Sequence, residues 1–105
     1  VGYESGSDYR LKENEVLISD GITRLKTLKP YKFNFKNEPP SITTEGFFAH
    51  EAQEVVPYAV SGEKDGEDMQ AMDYGKLTPL LTAALQEAIA KIETLEAKVA
   101  ALESA

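Results

Sequence analysis

Apolar residues in the first two thirds of this chain come in short bursts cut by Gly, Pro and charge, whereas the last third carries one unbroken helical stripe. Val1–Ser7 is small and polar, has no helical period, and reads as an extended lead-in. Arg10–Ile18 holds Leu11, Val16, Leu17 and Ile18 and reads as partly extended. Ser19-Asp20 offers an N-cap and a first-turn acid. Ile22, Leu25 and Leu28 follow at helical spacing up to Pro30, which predicts a short helix over Asp20–Leu28. Tyr31–Lys36 alternates aromatic and polar residues, the period of a half-buried strand. Asn37–Glu45, with Pro39-Pro40, is a loop. Gly46–Ala49 is expected as a short buried strand running into a helical turn or two over His50–Val56, ended by Pro57. Ser61–Asp68, rich in Gly, Asp and Glu, is a solvated loop or hairpin tip, and Met69–Met72 forms one more short strand.

Asp73 opens the last third as an N-cap, Pro79 is tolerated in a first turn, and no Gly or Pro follows Leu80. Leu81, Leu85, Ala88, Ile92, Leu95, Val99 and Leu102 alternate in steps of four and three. This is a heptad seam, with Leu85, Ile92 and Val99 at a and Leu81, Ala88, Leu95 and Leu102 at d. Lys91 and Glu96, and again Lys98 and Glu103, fall at g and the following e, where parallel neighbours exchange charge pairs. The stripe has two uses, an amphipathic helix packed on its own domain or a seam between chains. Its persistence to the last residues, among Ala, Glu and Lys, favours the seam. Stoichiometry is not decided by the pattern.

With 105 residues the chain fits one small domain with a modest core. A net charge of −7 argues against nucleic acid and anionic membrane surfaces. No apolar run nears the roughly 20 residues that span a bilayer, and Val1–Leu11 does not read as a signal peptide. Without cysteine there is neither a disulfide framework nor thiolate chemistry.

The residues that offer chemistry are few. There is no zinc-ligand cluster and no phosphate-cradling glycine loop, so neither a metal nor another cofactor is expected. His50 is the sole histidine, which excludes a site built on several imidazoles. Ser7 and Lys12, five residues apart, meet if the chain between them turns or if subunits pack together. A serine hydroxyl becomes a nucleophile when a neighbouring base takes its proton, and a neutral lysine serves if burial or a nearby cation lowers its pKa. Arg10 is a candidate for that cation. Alone, the same residues also read as a solvated polar segment, and His50 as a hydrogen-bonded structural residue.

The order of three longer motifs decides more. Ser7-Asp8-Tyr9-Arg10-Leu11-Lys12-Glu13-Asn14 resembles the opening motif of the S74 peptidase family, the intramolecular chaperone domains of phage tail fibres, tailspikes and endosialidases. Leu28-Lys29-Pro30 matches the Leu-x-Pro that ends its first helix. Gly46–Pro57 matches the second motif, and Met72–Leu81 the third, which leads into a coiled coil. The resemblance implies a domain that trimerises, brings three stalk chains into register, and then cuts itself off at Ser7–Asp8. Ser7 is carried over as nucleophile, Lys12 as its base and His50 as a residue needed for cleavage, with Arg10 and Glu51 in support. Attack by Ser7 on its own carbonyl closes a four-membered ring, and attack on the Gly6 carbonyl a five-membered one. A neighbouring protomer or a serine-activated water is a further route, and the sequence leaves these open.

The expected fold is α+β. A small head and arm of short strands and short helices precede a long C-terminal helix in a parallel trimeric coiled coil. Residues 1–7 are expected as the end of the parent stalk, 8–105 as the chaperone domain and 73–105 as its coiled-coil helix. The loops at 37–45 and 61–68 are expected at projecting tips that embrace the stalk. The function expected is that of a single-turnover, autocatalytic serine endopeptidase and chaperone. Its partners are two further copies and its own β-structured stalk, with no nucleic acid and no membrane, in the host cytoplasm during phage assembly. The rival reading is a non-catalytic trimerisation module in which Ser7 and Lys12 are inert. A sugar-binding tail tip is disfavoured, because few aromatics are expected outside the core strands.

Overall fold

The computed structural model describes residues 6–105, so the reading of residues 1–5 as an extended lead-in lies outside the described residues. A 3-10 turn at Tyr9–Leu11 opens the chain. It is followed by α1 (Gly21–Leu25), β1 (Tyr31–Phe33), β2 (Thr44–Gly46), α2 (Ala49–Val55), β3 (Val60–Ser61), β4 (Ala71–Met72) and α3 (Thr78–Glu103). The architecture is α+β, with two separate two-stranded antiparallel sheets, β1–β2 and β3–β4.

The long helix organises everything else. Asp73 caps a 3-10 turn over Tyr74–Leu77 by accepting from the Gly75 amide at 3.0 Å, and the chain enters α3 with Pro79 in its first turn. Leu77, Leu80 and Ala84 lie on one flank of this stretch and are buried, Leu80 completely. They meet Val56 and Ala59 from the end of α2, with Leu28, Phe47, Val55 and Met72 packed around. This is a small core. Beyond Glu87 and Ala88 the helix leaves it, and every residue from Ile89 to Ala105 is exposed. The radius of gyration, 18.9 Å, far exceeds the value of about 13 Å for a compact domain of this length. The free half of α3 accounts for the excess.

Helix α1 is shorter than Asp20–Leu28, because Lys26 to Leu28 close as turns. Asp20 does not cap it through its side chain but pairs with Arg24 at 3.5 Å. The cap comes instead from Glu87 on α3, whose carboxylate accepts from the amides of Gly21 at 2.8 Å and Ile22 at 3.1 Å. A carboxylate answers both the free amides and the positive end of a helix. Gly21 is required for this approach, since a Cβ there would stand 2.6 Å from the Ala84 nitrogen. Arg24 ties the other side of α1 to α2 by donating to the Val55 carbonyl at 2.9 Å.

The strand expected over Tyr31–Lys36 stops at Phe33, where Phe35 turns edge-on to Phe33 at 5.2 Å. The strand expected over Gly46–Ala49 is displaced. Pairing places Tyr31 opposite Gly46 and Phe33 opposite Thr44, so β2 takes in Thr44 and Glu45 from the segment expected to be loop and only Gly46 from the expected strand. Phe47 and Phe48 are not strand, because the Phe47 amide donates to the Tyr74 hydroxyl and the Phe48 carbonyl accepts from Glu51 and Ala52 to start α2. The helix before Pro57 and the hairpin around 61–68 form as expected, the latter with Gly62 (φ 76°) and Asp65 (φ 60°) in the left-handed region.

Leu80→Ala removes the centre of the core, and urea denaturation is expected to show a loss of about 2–5 kcal/mol. Glu87→Ala is expected to cost about 1 kcal/mol as a lost cap. A Leu80→Ala loss no larger than that of Glu87→Ala would refute this placement of the core.

Candidate active site

The front segment folds on itself. Asp8 caps the Tyr9–Leu11 turn, accepting from the Arg10 amide at 2.9 Å, while its two carboxylate oxygens receive the Arg10 guanidinium at 2.9 and 3.0 Å. The turn reverses the chain enough that Lys12 Nζ donates to Ser7 Oγ at 2.8 Å. Serine and lysine therefore meet within one chain. Of the two routes the sequence leaves open, a turn of the chain or the packing of subunits, the single chain shows the first, since one 3-10 turn covers the five-residue gap.

The electrostatics of the segment also differ from expectation. Arg10 is committed to Asp8 rather than poised beside Lys12. Its guanidinium and its backbone amide together hold the Asp8 carboxyl below its ordinary value of 3.8. The same ion pair raises the Arg10 guanidinium pKa further. A lysine becomes a base at neutral pH when water is stripped from it or a cation stands near. In the single chain every residue from Gly6 to Asp20, Lys12 included, is exposed.

His50 and Glu51 sit elsewhere, on the first turn of α2. The His50 ring stacks on Phe48 with centroids 6.1 Å apart, and among the described residues no hydrogen bond joins it to Ser7 or Lys12. Glu51 faces β1 rather than the arm. Its Oε2 lies 3.4 Å from the Tyr31 hydroxyl and 3.8 Å from Lys29 Nζ, and its Oε1 is buried without a partner. Partial burial, followed by the bond and the charge of Glu51, raises the Tyr31 phenol above its ordinary value. Among the described residues, no group of three or more His, Asp or Glu is placed to hold a metal.

Two surfaces complete the picture. The heptad residues of α3 stand unpartnered within the chain, with Leu85 63%, Leu95 58% and Leu102 76% exposed. Among the described residues, Lys91, Glu96, Lys98 and Glu103 form no ion pair within the chain. The second surface is an open groove of about 530 Å³ lined by Phe33, Phe35, Phe47, Phe48, Met72 and Tyr74. The sequence places the four phenylalanines in short strands and so does not reveal it; Phe35, Phe48 and Tyr74 are each about half exposed. The one available signal was the density of aromatics on both sides of the Pro-rich loop.

A serine–lysine pair on a turn thus precedes an α+β head, which is mounted on a long helix whose outer half is exposed within the chain. The S74 peptidase family model, described as chaperone of endosialidase, matches residues 7–61, just over half of the chain. The chain belongs to this family. The matched stretch begins at Ser7 and includes the first two motifs, while Met72–Leu81 and the heptad seam lie beyond it. No curated protein shows significant similarity to the chain.

The Asp8 carboxyl is expected to titrate below 3.8 by NMR and to return toward that value in Arg10→Ala. Because the folded pKa is depressed, the contribution of the pair is present above pH 3.8 and lost as pH falls through the folded midpoint. An unchanged midpoint in Arg10→Ala would contradict the bidentate pair.

Proposed function

We propose that this chain is a self-cleaving intramolecular chaperone, which trimerises through α3, sets the register of a phage tail stalk, and then releases itself at Ser7–Asp8. The observation that carries this reading is the 2.8 Å contact between Lys12 Nζ and Ser7 Oγ inside the family-matched segment. Ser7 acts as the nucleophile or as the activator of water, and Lys12 takes the hydroxyl proton. One water is consumed overall. The Ser7–Asp8 amide bond breaks, the Ser7 carbonyl carbon gains the oxygen as a carboxylate, and Asp8 gains the proton as a new amine terminus.

Trimerisation is supported by the seam. Fifteen residues of bare helix, Ile89–Glu103, are marginal in water alone, and their apolar a and d positions are exposed in one chain. A three-chain clamp suits the client, because an intertwined β-stalk is a slow, register-prone folding problem that tethered chain ends shorten. Cleavage then removes the assembly aid and makes the product kinetically hard to reverse. The partners under this reading are two further copies and the parent stalk, in the host cytoplasm, with no role for nucleic acid or membrane. Arg10 supports the pair by bridging to Asp8 across the turn, while His50 and Glu51, on α2, make no hydrogen bond to it among the described residues of one chain. The loops around 37–45 and 61–68 reach toward the stalk.

A second reading is favoured by one observation, the exposed position of the Ser7–Lys12 pair in a single chain. It makes the chain a trimerisation module with an inert Ser7. Expression behind a native stalk segment separates the two on a denaturing gel. Two fragments are expected from the unmodified protein, and one full-length band from Ser7→Ala and from Lys12→Ala, with assembly intact in both. A single band from the unmodified protein would leave only the module.

A further inference from the structure

The apolar stripe of α3 is not of one width. Its outer half keeps to two columns, with β-branched Ile92 and Val99 at a and with Leu95 and Leu102 at d. That pattern alone closes two chains. Nearer the head a third column joins. Ile89, 47% exposed, falls at e beside Leu85 at a and Ala88 at d. A two-column stripe is the seam of a coil, whereas a stripe widened by e needs more than one neighbouring helix to cover it.

The charges set where a neighbour stands. In a parallel coil each g residue faces the following e residue of the adjacent chain. Lys91 is thereby opposed to Glu96, and Lys98 to Glu103, two complementary pairs in one register. One heptad nearer the head, the same register opposes Ala84 to Ile89. Ala84, however, is only 1% exposed, because its own chain has laid α1 along that flank of the helix. A Cβ on Gly21 would stand 2.6 Å from the Ala84 nitrogen, and the Glu87 carboxylate holds the Gly21 and Ile22 amides in place. Across the seam, Ile89 of one copy therefore looks onto α1 of the next, where Ile22 and Leu25 are only partly buried.

We infer that Ile89 packs against α1 of a second copy, and that this contact selects three chains over two. With one partner the e column lies at the rim of the interface, where the outer heptads carry Glu96 and Glu103 and an isoleucine gains little cover. With two partners the a, d and e columns all turn inward, and the isoleucine is covered. The inference rests on the trimeric reading above and names what sets its stoichiometry, which the heptad pattern by itself leaves open. The contact also joins head to coil between copies, since the element that Ile89 meets is the one that Glu87 clamps.

Sedimentation equilibrium of the full chain, unmodified and as Ile89→Glu, tests this. Ile89 stands outside the core of its own chain, so the variant is expected to keep its helix content by circular dichroism. The unmodified protein is expected at three times the 11.5 kDa chain mass, and Ile89→Glu at twice that mass at the same loading. A variant that stays at three chains, or separates to one, overturns the inference and leaves the trimeric reading standing. An unmodified protein at any mass other than three chains overturns both. Should Ile89→Glu lose its helix, Ile89→Ala decides, because it removes the side chain at no cost in helix propensity. Two chains are expected for it as well, and one or three overturn the inference.

Discussion

Leu80, without exposed surface, and Leu81 beside it, nearly half exposed, mark the constraint on which this molecule turns. One helix carries two apolar flanks that cannot both be covered by a head this small. The first, through Leu77, Leu80 and Ala84, closes the core with Val56 and Ala59. The second, from Leu81 to Leu102, is left bare within the chain. A core of so few residues contributes little beyond the entropy of ordering the chain. Under the proposed trimer, further copies cover the second flank, and the same contact that assembles the chains adds the buried surface that a head this small lacks.

The arm depends on that helix twice. Glu87 holds the first amides of α1, so the position of the arm is set by α3 rather than by the short loops that precede it. The 3-10 turn over Tyr9–Leu11 then sets Ser7 against Lys12 using only the Asp8–Arg10 bridge and one backbone turn. In the proposed function, this local geometry is what supplies the nucleophile and its base.

Much of this was legible in the sequence, and the failures have physical causes. The heptad stripe, the helix before Pro57 and the Gly- and Asp-rich hairpin tip follow from local patterning and formed as read. Ser19-Asp20 reads as an N-cap and a first-turn acid, but no local signal reveals that Glu87, 66 residues beyond Gly21, reaches the first amides of α1. Gly46–Ala49 looked like a buried strand, because the apolar run Phe47-Phe48 conceals that Tyr74 and the start of α2 claim its backbone groups. The Ser7–Lys12 spacing was ambiguous between a local turn and a contact between chains, and the Asp8 cap on the Arg10 amide settles it locally. The aromatic groove went unseen for a different reason: periodicity tells which residues share a face, not whether anything covers that face.

Sedimentation equilibrium of the chain, from micromolar to millimolar loading, tests the central claim most directly. The account predicts a single species at three times the 11.5 kDa chain mass. A species that stays at 11.5 kDa throughout, folded and with its long helix intact by circular dichroism, would contradict it.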